Sequence, residues 1–365
     1  MIQALINIPL RGFPHLHRHG LFAMLQFGTQ LPLTIQGLTT FTPDGVDALC
    51  VIAKATFIVR QGRLALSSEQ PPIRLQDVCA DDTGSSELLA ASEAGLPRPG
   101  TDILVHGHAY APDGRACTTM ELALTGGGID KHVTVIGDRS WKSGLFGARP
   151  SEPQPFESVP LSWTRAYGGA DTLVTKDGQS RPEVDERNPI GIGFRHPKGS
   201  VAIDGLRLPN FLVAGEGVRS WKERPAVAGF GPIPGHWQPR RGWAGTYDAE
   251  WQRTRAPYLP KDFDPRFLHV APADQVTPTP LHGGESFTLL GFTPDGRLEF
   301  TLPQFSLAVD YRFADGPDDK LPAHLGMVQI HPDLGQVSLV WHSLIACDKR
   351  LLRISRATVT GQLAA

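Results

Sequence analysis

Three runs, Pro155–Gly169 (PFESVPLSWTRAYGG), Asn188–Phe194 (NPIGIGF) and Leu208–Val213 (LPNFLV), crowd Gly, Pro, Asn and aromatic residues into the stretch from Phe156 to Val213. Gly168 and Gly169 follow Tyr167 directly, and Gly191 and Gly193 alternate with Ile190 and Ile192. Glycines so placed let backbone approach another group closely or take φ > 0. Asn188-Pro189 and Pro209-Asn210 start turns on either side. Such a stretch cannot be helical. It reads either as tight corners in a β-rich core or as a recognition surface, and the two are compatible because sheet corners carry binding loops.

Outward from this stretch the language is that of strands. Leu49–Val59 (LCVIAKATFIV) is apolar and β-branched enough for a buried strand. An aromatic-x-Pro-Asp-Gly pattern occurs at Phe41–Gly45, Tyr110–Gly114 and Phe292–Gly296. Pro at the first central turn position and Gly where φ > 0 is wanted predict a hairpin at each. Further strands are expected at Asp102–His108, Thr118–Leu124, His132–Ile136, Glu285–Gly291, Leu298–Leu302, Phe305–Phe313, Gly326–Ile330, Val337–Ile345 and Leu351–Thr360. The polar run 67–101, bounded by Pro71-Pro72 and Pro97-Arg98-Pro99-Gly100, reads as a surface excursion with one possible helix at Ser85–Ala94. No helix longer than about three turns is indicated. The fold class is mostly β: antiparallel, β-sandwich-like sheets with long Gly/Pro-rich loops and few short helices. Residues 1–20 form an N-terminal arm. The Gly- and Pro-rich run 137–156 suggests a boundary, giving a first β-rich lobe at 21–145 and a second at 146–365 that is loop-rich over 219–266, unless all of it is one continuous domain.

Bulk properties narrow the function classes. The chain has 365 residues, 41% of them hydrophobic and 20% charged, enough for two cores or one large β architecture. A formal charge of −2 offers nucleic acid or anionic membrane no long-range attraction, and neither is expected as a partner. Cys50, Cys79, Cys117 and Cys347 are widely spaced without a C-x-x-C pair, which points to a reducing compartment. The N-terminal MIQALINIPLRGFPHLHRHG is broken by Pro9, Gly12 and Pro14 before an apolar run long enough for a secretory signal, and nothing approaches the roughly 20 apolar residues of a membrane helix. A cytoplasmic location is expected.

Signals for catalysis are weak. His15, His17 and His19, and again His106 and His108, alternate as a strand-borne metal site requires, but lack a partner set of ligands. There is no G-x-S-x-G elbow, and Gly126-Gly127-Gly128 lacks the Lys-Ser or Lys-Thr of a phosphate loop. Glu183, Asp185 and Glu186 read as a solvated charged loop. No catalytic residue, metal or cofactor is assigned. The most suggestive group is Trp237, Trp243, Tyr247 and Trp251 interleaved with Arg240 and Arg241, because exposed Trp, Tyr and Arg dominate interface energetics. The same residues could equally cover the core beneath a long loop.

Taken together, KATF at Lys54–Phe57, DILVHGHAYAPDG at Asp102–Gly114, GDRSW at Gly137–Trp141, VPLSWTRAYGG at Val159–Gly169, NPIGIGF, LPNF, GFGPIPGHWQPRRGWAGTYDAEW at Gly229–Trp251 and LPKDFDPRF at Leu259–Phe267 form a series. By that series the chain resembles the bacterial domain-of-unknown-function 2169 family, DUF2169, associated with type VI secretion loci. The resemblance implies a non-enzymatic adaptor or chaperone. Such a protein holds a secreted effector in the cytoplasm and helps load it onto the secretion spike and its PAAR-type tip, and its partners are therefore the effector and the spike or PAAR-tip protein. It brings no catalytic residues. A hydrolase or carbohydrate-active enzyme with a site among the histidines and the Trp-rich loop, and a structural component of the secretion apparatus, are the alternatives.

Overall fold

The computed structural model describes residues 25–81, 86–145, 147–174, 178–196 and 202–364. The arm at 1–20, with His15, His17 and His19, lies outside the described residues. Fifteen strands make two main sheets: β1 (Gln26–Thr29), β2 (Thr34–Phe41), β3 (Asp47–Arg60), β4 (Arg63–Leu66), β5 (Asp102–Val105), β6 (Thr119–Gly126), β7 (Ile129–Ile136), β8 (Phe211–Val213), β9 (Ser286–Leu290), β10 (Arg297–Thr301), β11 (Gln304–Phe313), β12 (Asp319–Pro322), β13 (His324–His331), β14 (Gln336–Ala346) and β15 (Ile354–Ala364). The larger sheet runs β8-β7-β6-β9-β10-β4-β3-β14-β13-β5, with β2 also beside β3. The smaller runs β1-β15-β11-β12. The protein is thus mostly β. Strands from both sides of residue 145 alternate within the larger sheet, where β6 lies between β7 and β9 and β3 lies between β4 and β14.

Burial explains why β3 reads as one apolar run. Ala48–Phe57 are all buried. The odd-numbered face (Leu49, Val51, Ala53, Ala55, Phe57) joins Leu307, Val309, Tyr311 and Phe313 of β11 in the main core between the two sheets. The even-numbered face (Cys50, Ile52) joins a second cluster with Ile73, Leu88, Ala91, Leu104, Met327 and Val340. The run 67–101 is therefore not a surface excursion. It covers the second face of the sheet, and over its described part the expected helix is replaced by the strand Leu88–Ala90, paired with Val78–Cys79. What draws this polar segment inward is Lys54, an ammonium placed mid-strand on the covered face. Its Nζ lies 2.7 Å from Oε1 of Glu93, whose side chain is fully buried. Glu93 also accepts from Arg74 N at 2.7 Å and Gln329 Nε2 at 2.8 Å. A charge that strand pairing takes out of water has to be matched by one brought from elsewhere.

Two of the three expected hairpins are present. Phe41–Gly45 joins β2 to β3, with Gly45 at φ 88°, and Phe292–Gly296 joins β9 to β10. Tyr110–Gly114 turns the chain without pairing its two flanks. The strand His108–Tyr110 pairs instead with Ser158–Pro160.

Candidate functional site

The Gly-rich stretch resolves into corners. Asn188, fully buried, donates from Nδ2 to the carbonyls of Trp163 (2.8 Å) and Tyr167 (3.1 Å), and its own carbonyl accepts from Gly169 N at 2.8 Å. Tyr167-Gly168 pairs in parallel with Ile192-Gly193. A Cβ at Gly169, whose φ is 98°, would stand 2.3 Å from Gly191 O, so the glycines are used on one another. Beside them Gly168–Thr172, Gly191–Arg195, Trp141, Leu206 and Arg207 line a cleft of about 230 Å³, in which Arg195 Nη1 is 3.3 Å from Asp171 Oδ1.

The Trp- and Arg-rich segment divides into an inner and an outer set. Trp237 is fully buried, edge-on to Trp163 with ring centroids 6.1 Å apart. Arg240 is buried as well. Its Nε and Nη2 donate to Phe267 O, its Nη1 donates to Ile233 O, its guanidinium lies over the Phe267 ring, and burial pushes its pKa down to about 10. These two residues hold the segment to the body and do not present themselves to a partner. Trp243, Tyr247 and Trp251 are half-buried and Arg241 is exposed.

Short elements fix the outer set. α1 (Arg240–Trp243) leads into Gly245, at φ 83°, where a Cβ would stand 2.8 Å from Pro260 Cβ. Thr246 N and Oγ1 donate to Asp262. Asp248 caps α2 (Ala249–Thr254) by accepting from Trp251 N at 2.8 Å, as an N-cap carboxylate does. Trp251 Nε1 donates to Tyr258 O at 2.8 Å, and its ring meets Tyr247 at 4.7 Å. Arg266 lies over Trp243, 4.8 Å from the ring centroid, while paired to Asp264. Arg241 is 3.5 Å from Glu186. Arg255 donates to Pro43 O, and Tyr258 packs edge-on against Phe41 at 5.0 Å, tying the ridge to the β2–β3 hairpin. Tyr258, Arg255 and Arg266, outside the Trp237–Trp251 group, complete this ridge. The alternation of aromatic and Arg that marked residues 237–251 continues through them.

The histidines and acidic residues singled out in the sequence fall in separate places. His106 stacks on His331 at 4.8 Å, and burial pushes their pKa values down to about 3 and about 4. His108 Nδ1 pairs instead with Asp333, 2.8 Å away, because Gly107, at φ 143°, ends the alternation. Asp185 is buried against Arg187 rather than solvated. Asp102 and His269 are 2.7 Å apart and buried, with Asp102 also accepting from Val270 N and facing Arg98 Nε at 3.0 Å. Among the described residues no group of three or more His, Cys, Asp or Glu is placed to hold a metal, and no helix is long and apolar enough to cross a membrane.

Residues 44–342, most of the chain, match the model of a family described as "Uncharacterized protein conserved in bacteria (DUF2169)". The chain belongs to the DUF2169 family. Within this DUF2169 protein the match takes in the whole ridge and begins after β2. No curated protein and no solved structure matches the chain.

Proposed function

We propose that this chain is a non-enzymatic adaptor that binds a type VI secretion effector in the cytoplasm and assists its loading onto the spike and its PAAR-type tip. The observation that carries the reading is the ridge of Trp243, Tyr247, Trp251 and Tyr258, half-buried aromatics flanked by Arg241, Arg255 and Arg266. Each is held by a cap, a ring contact or a hydrogen bond. Rigid aromatic rings offer contact area at little cost in conformational entropy, so a pre-organised ridge binds protein better than a mobile loop of the same composition. The secretion context comes from the resemblance of the motif series.

A hydrolase is the rival, and the Asp102–His269 pair favours it. Both oxygens of Asp102, however, are engaged in joining β5 to the segment that follows the ridge. Co-expression with a type VI secretion effector from the same genome tests the adaptor reading. The expected result is a co-purifying complex and loss of effector secretion when the chain is deleted. An effector equally soluble and equally secreted without it would overturn the reading.

A further inference from the structure

β2 is an open edge. β3 carries β2 and β4 end to end on one side, with Thr34–Phe41 against Lys54–Asp47 and Leu66–Arg63 against Phe57–Arg60. Beyond β4 the sheet continues into β10, whereas beyond β2 no described strand follows. Thr42 N donates to Val46 O in the same register, so the even-numbered residues of β2 bond to β3 and the odd-numbered ones point their N–H and C=O groups outward. Gln36 Nε2 accordingly reaches round to Gly37 O, 3.0 Å away. Among the described residues nothing else bonds the outward groups of Ile35, Gly37, Thr39 and Phe41.

The other edges of the two sheets are protected in the ways that suppress edge pairing. β12 carries Asp319, Lys320 and Pro322, and β1 has only four residues. β8 has three and is bridged at Phe211 to Ala166. β5 is bridged at Asp102 to Val276, and its Val105 N donates to Phe230 O. β2, by contrast, is eight residues long, TIQGLTTF, with no charge and no proline. One end abuts the ridge, through Phe41 on Tyr258 and Arg255 on Pro43.

We infer that Thr34–Phe41 receives an extended segment of the client polypeptide as an added strand. This assignment rests on the adaptor reading and supplies its binding mode. Main-chain bonds to the odd-numbered residues give affinity, and the adjoining ridge holds the side chains beyond the strand. The uncharged edge selects a segment of β-branched or apolar residues without proline at the bonded positions.

The test uses the full chain and the type VI secretion effector from the same genome that it captures. Thr39 is exposed and its N–H faces outward, so Thr39→Pro removes an edge donor while leaving the bonds to β3 in place, and Thr39→Ala keeps the donor. Thr39→Pro is expected to weaken capture by about tenfold or more, and Thr39→Ala to stay within about twofold. In the wild-type complex, amide exchange at Ile35, Gly37, Thr39 and Phe41 is expected to slow relative to the free chain, which decides the matter even if the proline variant fails to fold. Capture by wild type with a folded Thr39→Pro variant equally active, or with those amides unprotected, overturns strand addition and leaves the adaptor reading standing. No capture by wild type overturns both. Protection that grows with the concentration of this chain alone assigns the edge to a second copy and overturns the client assignment.

Discussion

Replacing Glu93 by Gln probes the contact that ties the 67–101 segment to the sheet. The native carboxylate accepts from Lys54 Nζ (2.7 Å), Arg74 N (2.7 Å) and Gln329 Nε2 (2.8 Å), with Arg74 Nη1 at 3.4 Å. Gln offers one acceptor oxygen and turns an NH₂ toward what was a donor, leaving the Lys54 ammonium unmatched with its side chain only 4% exposed. Breaking a buried pair from one side costs about 3–5 kcal/mol. Removing both charges relieves the penalty, so Glu93→Gln combined with Lys54→Met is expected to recover more than about 2 kcal/mol of that loss. Urea unfolding of the wild type, both single variants and the double variant closes the cycle. A loss below about 1 kcal/mol in Glu93→Gln, in the range of surface pairs, would refute the view that this ion pair anchors the cover.

Other consequences are equally measurable. Trp237→Ala should destabilise the protein by about 3–5 kcal/mol by emptying the contact with Trp163, seen in thermal unfolding, whereas Trp251→Ala should cost about 1–2 kcal/mol of stability for its one lost hydrogen bond and part of its packing, yet reduce effector capture at least about tenfold in a pull-down. Gly169→Ala combines a positive φ with the 2.3 Å approach to Gly191 O, and soluble yield and unfolding midpoint should both fall. His106, His331 and His342 have pKa values lowered by burial to about 3, about 4 and about 3. Because the unfolded chain binds their protons first, stability is whole above pH ~6.5 and declines as pH falls from there toward 4, with uptake of about three protons on unfolding. Urea midpoints across that window should show the slope, and His342→Gln should lower it by about one proton.

Strand positions were legible because their signals are local. The alternation in β11 and the Pro-Asp-Gly turns at Phe41–Gly45 and Phe292–Gly296 depend only on residues a few positions apart. At Tyr110–Gly114 the same local signal misled, since whether two flanks pair is settled by what else lies beside them, here Ser158–Pro160. The ridge was visible as a composition, but its inner and outer halves were not. Trp237 and Arg240 differ from Trp251 and Arg241 only in what Trp163 and Phe267 place over them.

Residue order alone thus settles that this chain makes strands, where most of them run and which residues turn the corners, since each is a short-range property of backbone and side-chain chemistry. Partnership between distant segments was decided by packing. Glu93 meets Lys54, Asp102 meets His269, and β3 lies between β14 on one side and β2 and β4 on the other. Burying a charge or leaving an edge unpaired acquires its energy only from what the completed fold puts next to it.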